Sequence, residues 1–147
     1  MKKLTVILLA LALFACDKKK NTSTTKPDIG TILTCFEQTT WNSAKLNSYL
    51  SGYWQMNRAF GGWVGEMPIE NVKLRFYHSD SLTIYKDGVV LSTSKYHIDS
   101  SGNNIYEVVT DSFTQYTPGR VMYCSNQIVF NSSFVDGNDY YYAKVSK

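Results

Sequence analysis

Apolar and polar residues alternate in short runs through most of this chain. Val72-Lys-Leu-Arg-Phe-Tyr77 sets Val72, Leu74 and Phe76 on one face and Lys73 and Arg75 on the other. Ser81–Tyr85 repeats the pattern with Leu82 and Ile84. A period of two marks a strand with one buried face. Gly52–Phe60 predicts the first strand, with Trp54 and Met56 opposite Tyr53, Gln55 and Asn57. Asp87-Gly88, set between Tyr85-Lys86 and Val89-Val-Leu91, is a strong hairpin signal, because Asp and Gly accept the positive φ of a type I′ turn. The strand from Val89 runs toward Tyr96-His-Ile98, with a bulge expected near Ser92–Ser94. Further strands are expected over Ile105–Val109, Phe113–Thr117, Arg120–Cys124, Gln127–Phe130 and Asp139–Val145. The last would place Tyr141, Ala143 and Val145 on one face and Tyr140, Tyr142 and Lys144 on the other.

Short turns at Asp99–Asn104, Pro118-Gly119 and Ser125-Asn126 join these strands, so the pattern is an antiparallel meander without βαβ units. The fold class read from it is all-β, a small up-and-down antiparallel β-barrel of eight to nine strands. A sandwich is the alternative; a barrel removes both sheet edges.

Two stretches depart from alternation. Glu37–Leu50 pairs Trp41 with Lys45 and Leu46 with Leu50 at helical spacing, and Thr40 is a candidate cap. It predicts one or two helical turns before the barrel. Leu4–Ala15 is an almost wholly apolar run behind Lys2 and Lys3. It is short for a bilayer span and sits where a signal peptide sits. Leu13-Phe14-Ala15-Cys16 resembles a bacterial lipobox, which implies lipid attachment at Cys16. Two or more acyl chains give stable anchoring without a transmembrane helix. A plain secretory signal is the other reading. Residues 1–15 are therefore expected to be a leader, 16–30 a flexible tether rich in Lys, Thr and Ser, and 31–147 a single domain.

The net charge of +3 overstates the basicity of the domain, because Lys2, Lys3, Lys18, Lys19, Lys20 and Lys26 all precede it. The domain is close to neutral and carries no clustered basic track, so nucleic acid is not an expected partner. Cys35 and Cys124 remain after Cys16. In an exported chain one disulfide between them is the economical reading, and two buried thiols are the alternative. No Cys or His spacing suggests a metal site, and no cofactor is expected.

Leu50-Ser-Gly-Tyr-Trp-Gln-Met56, then Gly61-Gly-Trp-Val-Gly65, Leu82-Thr-Ile-Tyr-Lys-Asp-Gly88 and the ending Gln127-Ile-Val-Phe-Asn-Ser-Ser-Phe-Val-Asp-Gly137 before an aromatic strand resemble the lipocalin-like lipoproteins of Bacteroidetes. The resemblance spans most of Leu50–Val145. It implies a small barrel, anchored in the cell envelope, with the outer membrane expected. Asp17 followed by three lysines leaves the membrane face open. It also implies that Trp54 plugs a closed end of the barrel, with Gly52 admitting the chain beside it. The chain has no room for the C-terminal helix of a typical lipocalin, which argues against a large central cavity.

Phe60, Trp63 and Val64 flank Gly61-Gly62. They form either a mobile lip over a barrel mouth or a buried plug whose glycines need positive φ. Eleven tyrosines are amphipathic strand residues, and those facing outward could meet a protein or a glycan. His78, Asp80 and the neighbouring Ser79 and Ser81 do not have the spacing of a triad, and no nucleophile elbow is present. Asp136-Gly-Asn-Asp139 is oxygen-rich but lacks EF-hand spacing. The function expected is non-catalytic: an envelope binding protein holding a small apolar molecule through Phe60, Trp63 and Val64. The alternative is an interaction module with a filled core, contacting another envelope protein or a glycan. A cavity lined by apolar groups would favour the first; a solid core with an exposed apolar patch would favour the second.

Overall fold

The computed structural model describes residues 28–147. The segment expected to be a leader, Cys16, and residues 17–27 of the expected tether lie outside them. Two helices lead into the sheet: α1 (Ile29–Glu37) and α2 (Ser43–Leu50). The strands are β1 (Gly52–Gly61), β2 (Gly65–Met67), β3 (Val72–Tyr77), β4 (Ser81–Lys86), β5 (Val89–Ser100), β6 (Tyr106–Thr110), β7 (Arg120–Cys124), β8 (Gln127–Asn131) and β9 (Asn138–Val145). A single 3-10 turn, Ser133–Val135, precedes β9.

All pairings are antiparallel, and β9 returns to pair with β1, which closes an eight-stranded barrel. β3 and β2 share the remaining edge of β1, so β2 is an extra strand at one end. The barrel is tightly laddered everywhere except between β6 and β7, where Glu107–Arg120 is the one registered pair.

Strand alternation sorts the side chains as the sequence pattern implies. Trp54, Leu74 and Ile84 stand in register across β1, β3 and β4, and all three are fully buried. Met56, Tyr142, Ile128 and Tyr123 form a second inward row across β1, β9, β8 and β7. A side chain facing a water-sized void would keep accessible surface. Trp54, Leu74, Leu82, Ile84, Ile128, Phe130 and Tyr142 keep none, so the space against them is filled.

The helical part is larger than the sequence reading. The expected helical turns within Glu37–Leu50 are present as α2, capped by Asn42, whose side chain accepts from the Lys45 amide, in place of Thr40; α1 is additional. Helix α1 begins inside the segment assigned to the tether, capped by Asp28. Its Ile29, Ile32, Leu33 and Phe36 recur at i, i+3, i+4 and i+7, which buries one face. That face covers the outside of the barrel. Met122, Val129 and Tyr141 form an outward row across β7, β8 and β9, yet all three are buried. The disulfide Cys35–Cys124 ties α1 to the end of β7 on this same face. Tyr141 is consequently buried along with Tyr140 and Tyr142, although alternation sends it outward.

Other local expectations shift. Phe113–Thr117 is a loop, because Tyr116 turns inward to bond with groups at the end of the barrel. The β5 bulge falls at Leu91, between Ser92 opposite Ile84 and Val90 opposite Tyr85, one residue before the expected stretch. The β4–β5 turn has positive φ at both Asp87 and Gly88, the geometry a type I′ hairpin demands.

Candidate functional site

The two ends of the barrel are built differently. At one end α2 enters β1, and Phe36, Trp41, Leu46 and Leu50 close the interior. Phe36 stacks on Trp41 at 5.0 Å, and Tyr123 meets both Trp41 and Trp54 edge-on. Trp54 is 0% exposed, and its Nε1 donates to the Leu50 carbonyl oxygen at 2.6 Å. Gly52 lies beside Lys144, not Trp54: a Cβ there would meet the Lys144 Cε at 3.2 Å. The Lys144 ammonium caps the Trp54 ring and donates to the Tyr49 carbonyl.

The opposite end carries the β1–β2 turn, the loops after β2, β4 and β6, and the 3-10 turn. It is closed by a polar lid. The Tyr116 hydroxyl donates to Glu70 Oε2 at 2.7 Å, Lys86 Nζ pairs with the same oxygen at 3.0 Å, and the Tyr142 hydroxyl donates to the Tyr116 carbonyl from inside. The Glu70 carboxyl is held below its ordinary pKa by the Tyr116 hydroxyl first and Lys86 second, and the Lys86 ammonium is correspondingly raised, by Glu70 first.

Around this lid the apolar side chains point outward. Trp63 is 85% exposed and Phe113 95%. Val64 stands beside Trp63, Ile69 follows β2, and Val89, Val90 and Leu91 begin β5. Phe134 and Val135 occupy the 3-10 turn. Among the described residues these are nine of the ten exposed large hydrophobic side chains, Tyr49 at the helix end being the tenth. The clustering follows from topology: five connections meet at this end, and each carries or adjoins apolar residues where turn chemistry alone would favour polar ones.

Trp63 and Val64 therefore form a lip, not a plug, whereas Phe60 is half-buried with the Arg58 guanidinium over its ring. The lip is tied down: Trp63 Nε1 donates to Asp136 Oδ1 at 2.8 Å, and the Gly62 amide donates to the Gly137 carbonyl. Positive φ falls on Gly65, not on Gly61 or Gly62. Those two are needed for closeness: a Cβ on Gly61 would meet Met67 Sδ and Asn138 Oδ1 at 3.2 Å, and one on Gly62 the Ser133 carbonyl at 3.2 Å. Beside the lid an open groove of about 440 Å³ runs between Leu91, Phe113 and Tyr116.

Asp139, in the oxygen-rich Asp136–Asp139 stretch, is the organiser of the adjacent loop. Its Oδ1 accepts from Asn131 Nδ2 and the amides of Ser132 and Ser133, and its Oδ2 accepts from the Ser133 hydroxyl. Asp136 turns to Trp63 instead, so the two carboxylates serve different partners. His78 Nδ1 lies 3.1 Å from the Ser51 hydroxyl, while Asp80 accepts from Asn47, so those side chains do not form a relay. Residues Phe113, Phe134 and Leu91 were not among the expected contact residues; the signal was large apolar side chains inside loops, for Phe113 and Phe134, and just after a turn, for Leu91. No protein-family model matches the chain, and it matches no curated protein and no solved structure.

Proposed function

We propose that this is a lipid-anchored, non-catalytic protein of the cell envelope that works as an interaction module, with the apolar rim as its contact surface. The observation carrying this reading is the division of apolar side chains: the interior is packed, and the exposed ones gather at a single end. Contiguous exposed apolar groups mark an interaction surface.

The bilayer that holds the anchor is the surface this rim fits. Helix α1 runs from the helix end, where Cys35 meets Cys124, toward the rim. Its cap Asp28 lies within electrostatic reach of Arg58, three residues from the β1–β2 turn. The chain thus leaves the domain on the rim side. Eleven residues separate Asp28 from Cys16, a reach of at most about 40 Å when extended. Trp63, Phe113 and Phe134 are side chains suited to the headgroup boundary. The outer membrane and the likeness to lipocalin-like lipoproteins belong to this reading, supported by the lipobox and the barrel together.

Trp63 supplies the test, since Trp41 and Trp54 are buried. The full chain is reconstituted in vesicles containing brominated lipids. Quenching of the exposed Trp63 and a blue-shifted emission are expected, and both disappear in Trp63→Phe. Unquenched emission at a water-like wavelength sinks the docked arrangement. Intact mass of the Cys16 peptide separately reads whether lipid is attached.

A further inference from the structure

A second surface, on the outer strand face and meeting the rim at Val90, is polar, aromatic and cationic. Outward positions of β9, β1, β3, β4 and β5 fall into register rows. One row reads Val145, Tyr53, Arg75, Thr83, Thr93; the next reads Ala143, Gln55, Lys73, Tyr85, Val90. Tyr77, Ser81 and Lys95 begin a third. None of these positions holds a carboxylate, in a domain whose acidic residues outnumber its basic ones. Acids sit in the bordering loops: Asp80, which accepts from Asn47, Asp87 beside Gly88, and Glu70, which pairs with Lys86.

Arg75 is the centre. Its guanidinium carbon lies 4.8 Å from the Tyr53 ring centroid and 4.1 Å from that of Tyr77, so two rings hold it in place. Among the described residues neither Arg75 nor Lys73 forms an ion pair; Arg58 and Lys86 take the two carboxylates that do. A guanidinium fixed by rings and lacking a carboxylate keeps its fork of donors for an external anion.

Next to Arg75 lies a groove of about 410 Å³, within the range of small-molecule sites, lined by Tyr53, Gln55, Asn71, Lys73, Tyr85, Gly88 and Lys147. Tyrosine rings offer flat apolar faces to the C–H groups of a pyranose. Gln55, Asn71 and the lysines offer hydrogen bonds to its hydroxyls. The near-neutral domain and the lack of an extended basic track fit a short anionic ligand better than a nucleic-acid backbone.

We infer that the outer face of β1, β3 and β4 binds an anionic carbohydrate, a sugar bearing carboxylate, sulfate or phosphate, with Arg75 receiving the anion and Tyr53 and Tyr85 flanking the ring. The groove borders the rim end at Asn71 and Gly88, but Arg75 lies on the strand face and its role does not depend on that of the rim.

The test titrates the full chain in neutral detergent with oligogalacturonate, a sulfated heparin oligosaccharide, a phosphorylated glycolipid headgroup, neutral cello-oligosaccharide, inorganic sulfate and single-stranded DNA. At least one anionic sugar is expected to bind about tenfold more tightly than the neutral sugar and than sulfate. Arg75→Gln is expected to lose about tenfold, and Arg75→Lys to lose the same preference in part, because Lys keeps the charge without the fork. Both variants change an outward side chain, and an unchanged melting temperature certifies their folding. Which anionic probe binds separates the free polysaccharide from the glycolipid source. Equal binding of neutral and charged sugars, tighter binding of DNA, no binding of any anionic sugar, or an Arg75→Gln variant that binds normally each overturns the inference.

Discussion

Asp139 illustrates what a single side chain contributes here. Its carboxylate is 2% exposed and receives four donors from the segment before it. Removing it leaves buried amides without an acceptor, and each such orphan costs about 1–3 kcal/mol. Asp139→Ala is expected to lower stability by about 3 kcal/mol or more in urea unfolding, and Asp139→Asn by less, since one acceptor oxygen survives. A loss under about 1 kcal/mol for the alanine variant would refute that role. The tyrosines set a second residue-scale behaviour, at alkaline pH. Burial raises Tyr96 and Tyr141 to about 12 from an ordinary 10.0. A raised tyrosine pKa means that the folded chain holds its proton longer than the unfolded one. That stability is complete below pH 10 and is lost as pH rises from 10 toward 12. Tyr96→Phe is expected to flatten the fall of stability in this window, read from unfolding free energies at successive pH values.

At the scale of elements, α1 is the part that alternation hid. Its apolar positions fit a helix, but it abuts a polar, lysine-rich segment, and that neighbour made Ile29 and Gly30 look like tether. The strands were legible because a half-buried sheet imposes period two on every residue, as Val72–Tyr77 and Ser81–Lys86 show. The outward row of Met122, Val129 and Tyr141 was not legible as buried, because its cover comes from α1, distant in sequence. The disulfide spans 89 residues, and closing a loop of that length stabilises by roughly 4 kcal/mol in the chain-entropy account. Cys35→Ser with Cys124→Ser is expected to lose stability of that order, with α1 exchanging its amides earliest. The lid responds to acid. Glu70 has a lowered pKa, so its contribution is present above the ordinary value of 4.5 and is lost as pH falls below it. Glu70→Gln is expected to remove the acid-dependent change in Tyr116 mobility seen by NMR; an unaltered pH profile would place the dependence elsewhere.

For the whole molecule the decisive feature is that strength is distributed unevenly around a closed wall. β1 and β9 share a ladder running from Tyr53–Val145 to Gly61–Asn138, whereas β6 and β7 share one registered pair. The loop from Asp111 to Gly119 leaves the barrel at that weak seam, carrying Phe113 outward and Tyr116 inward. Lip residues Trp63 and Val64 were singled out from glycines flanked by large apolar groups, but the rim they belong to is a property of where five connections converge, which local pattern does not reveal. Local opening costs least where few ladder bonds must break. Native-state hydrogen exchange is therefore expected to be fastest along β6, β7 and the intervening loop, and slowest in β1 and β9. Reconstitution in vesicles should slow exchange in that loop, since a rim resting on lipid holds Phe113, while leaving the helix end unchanged. Uniform protection around the barrel would mean that the seam is closed by contacts other than its ladder. Protection gained at the helix end in vesicles would place the membrane on the opposite side of the molecule.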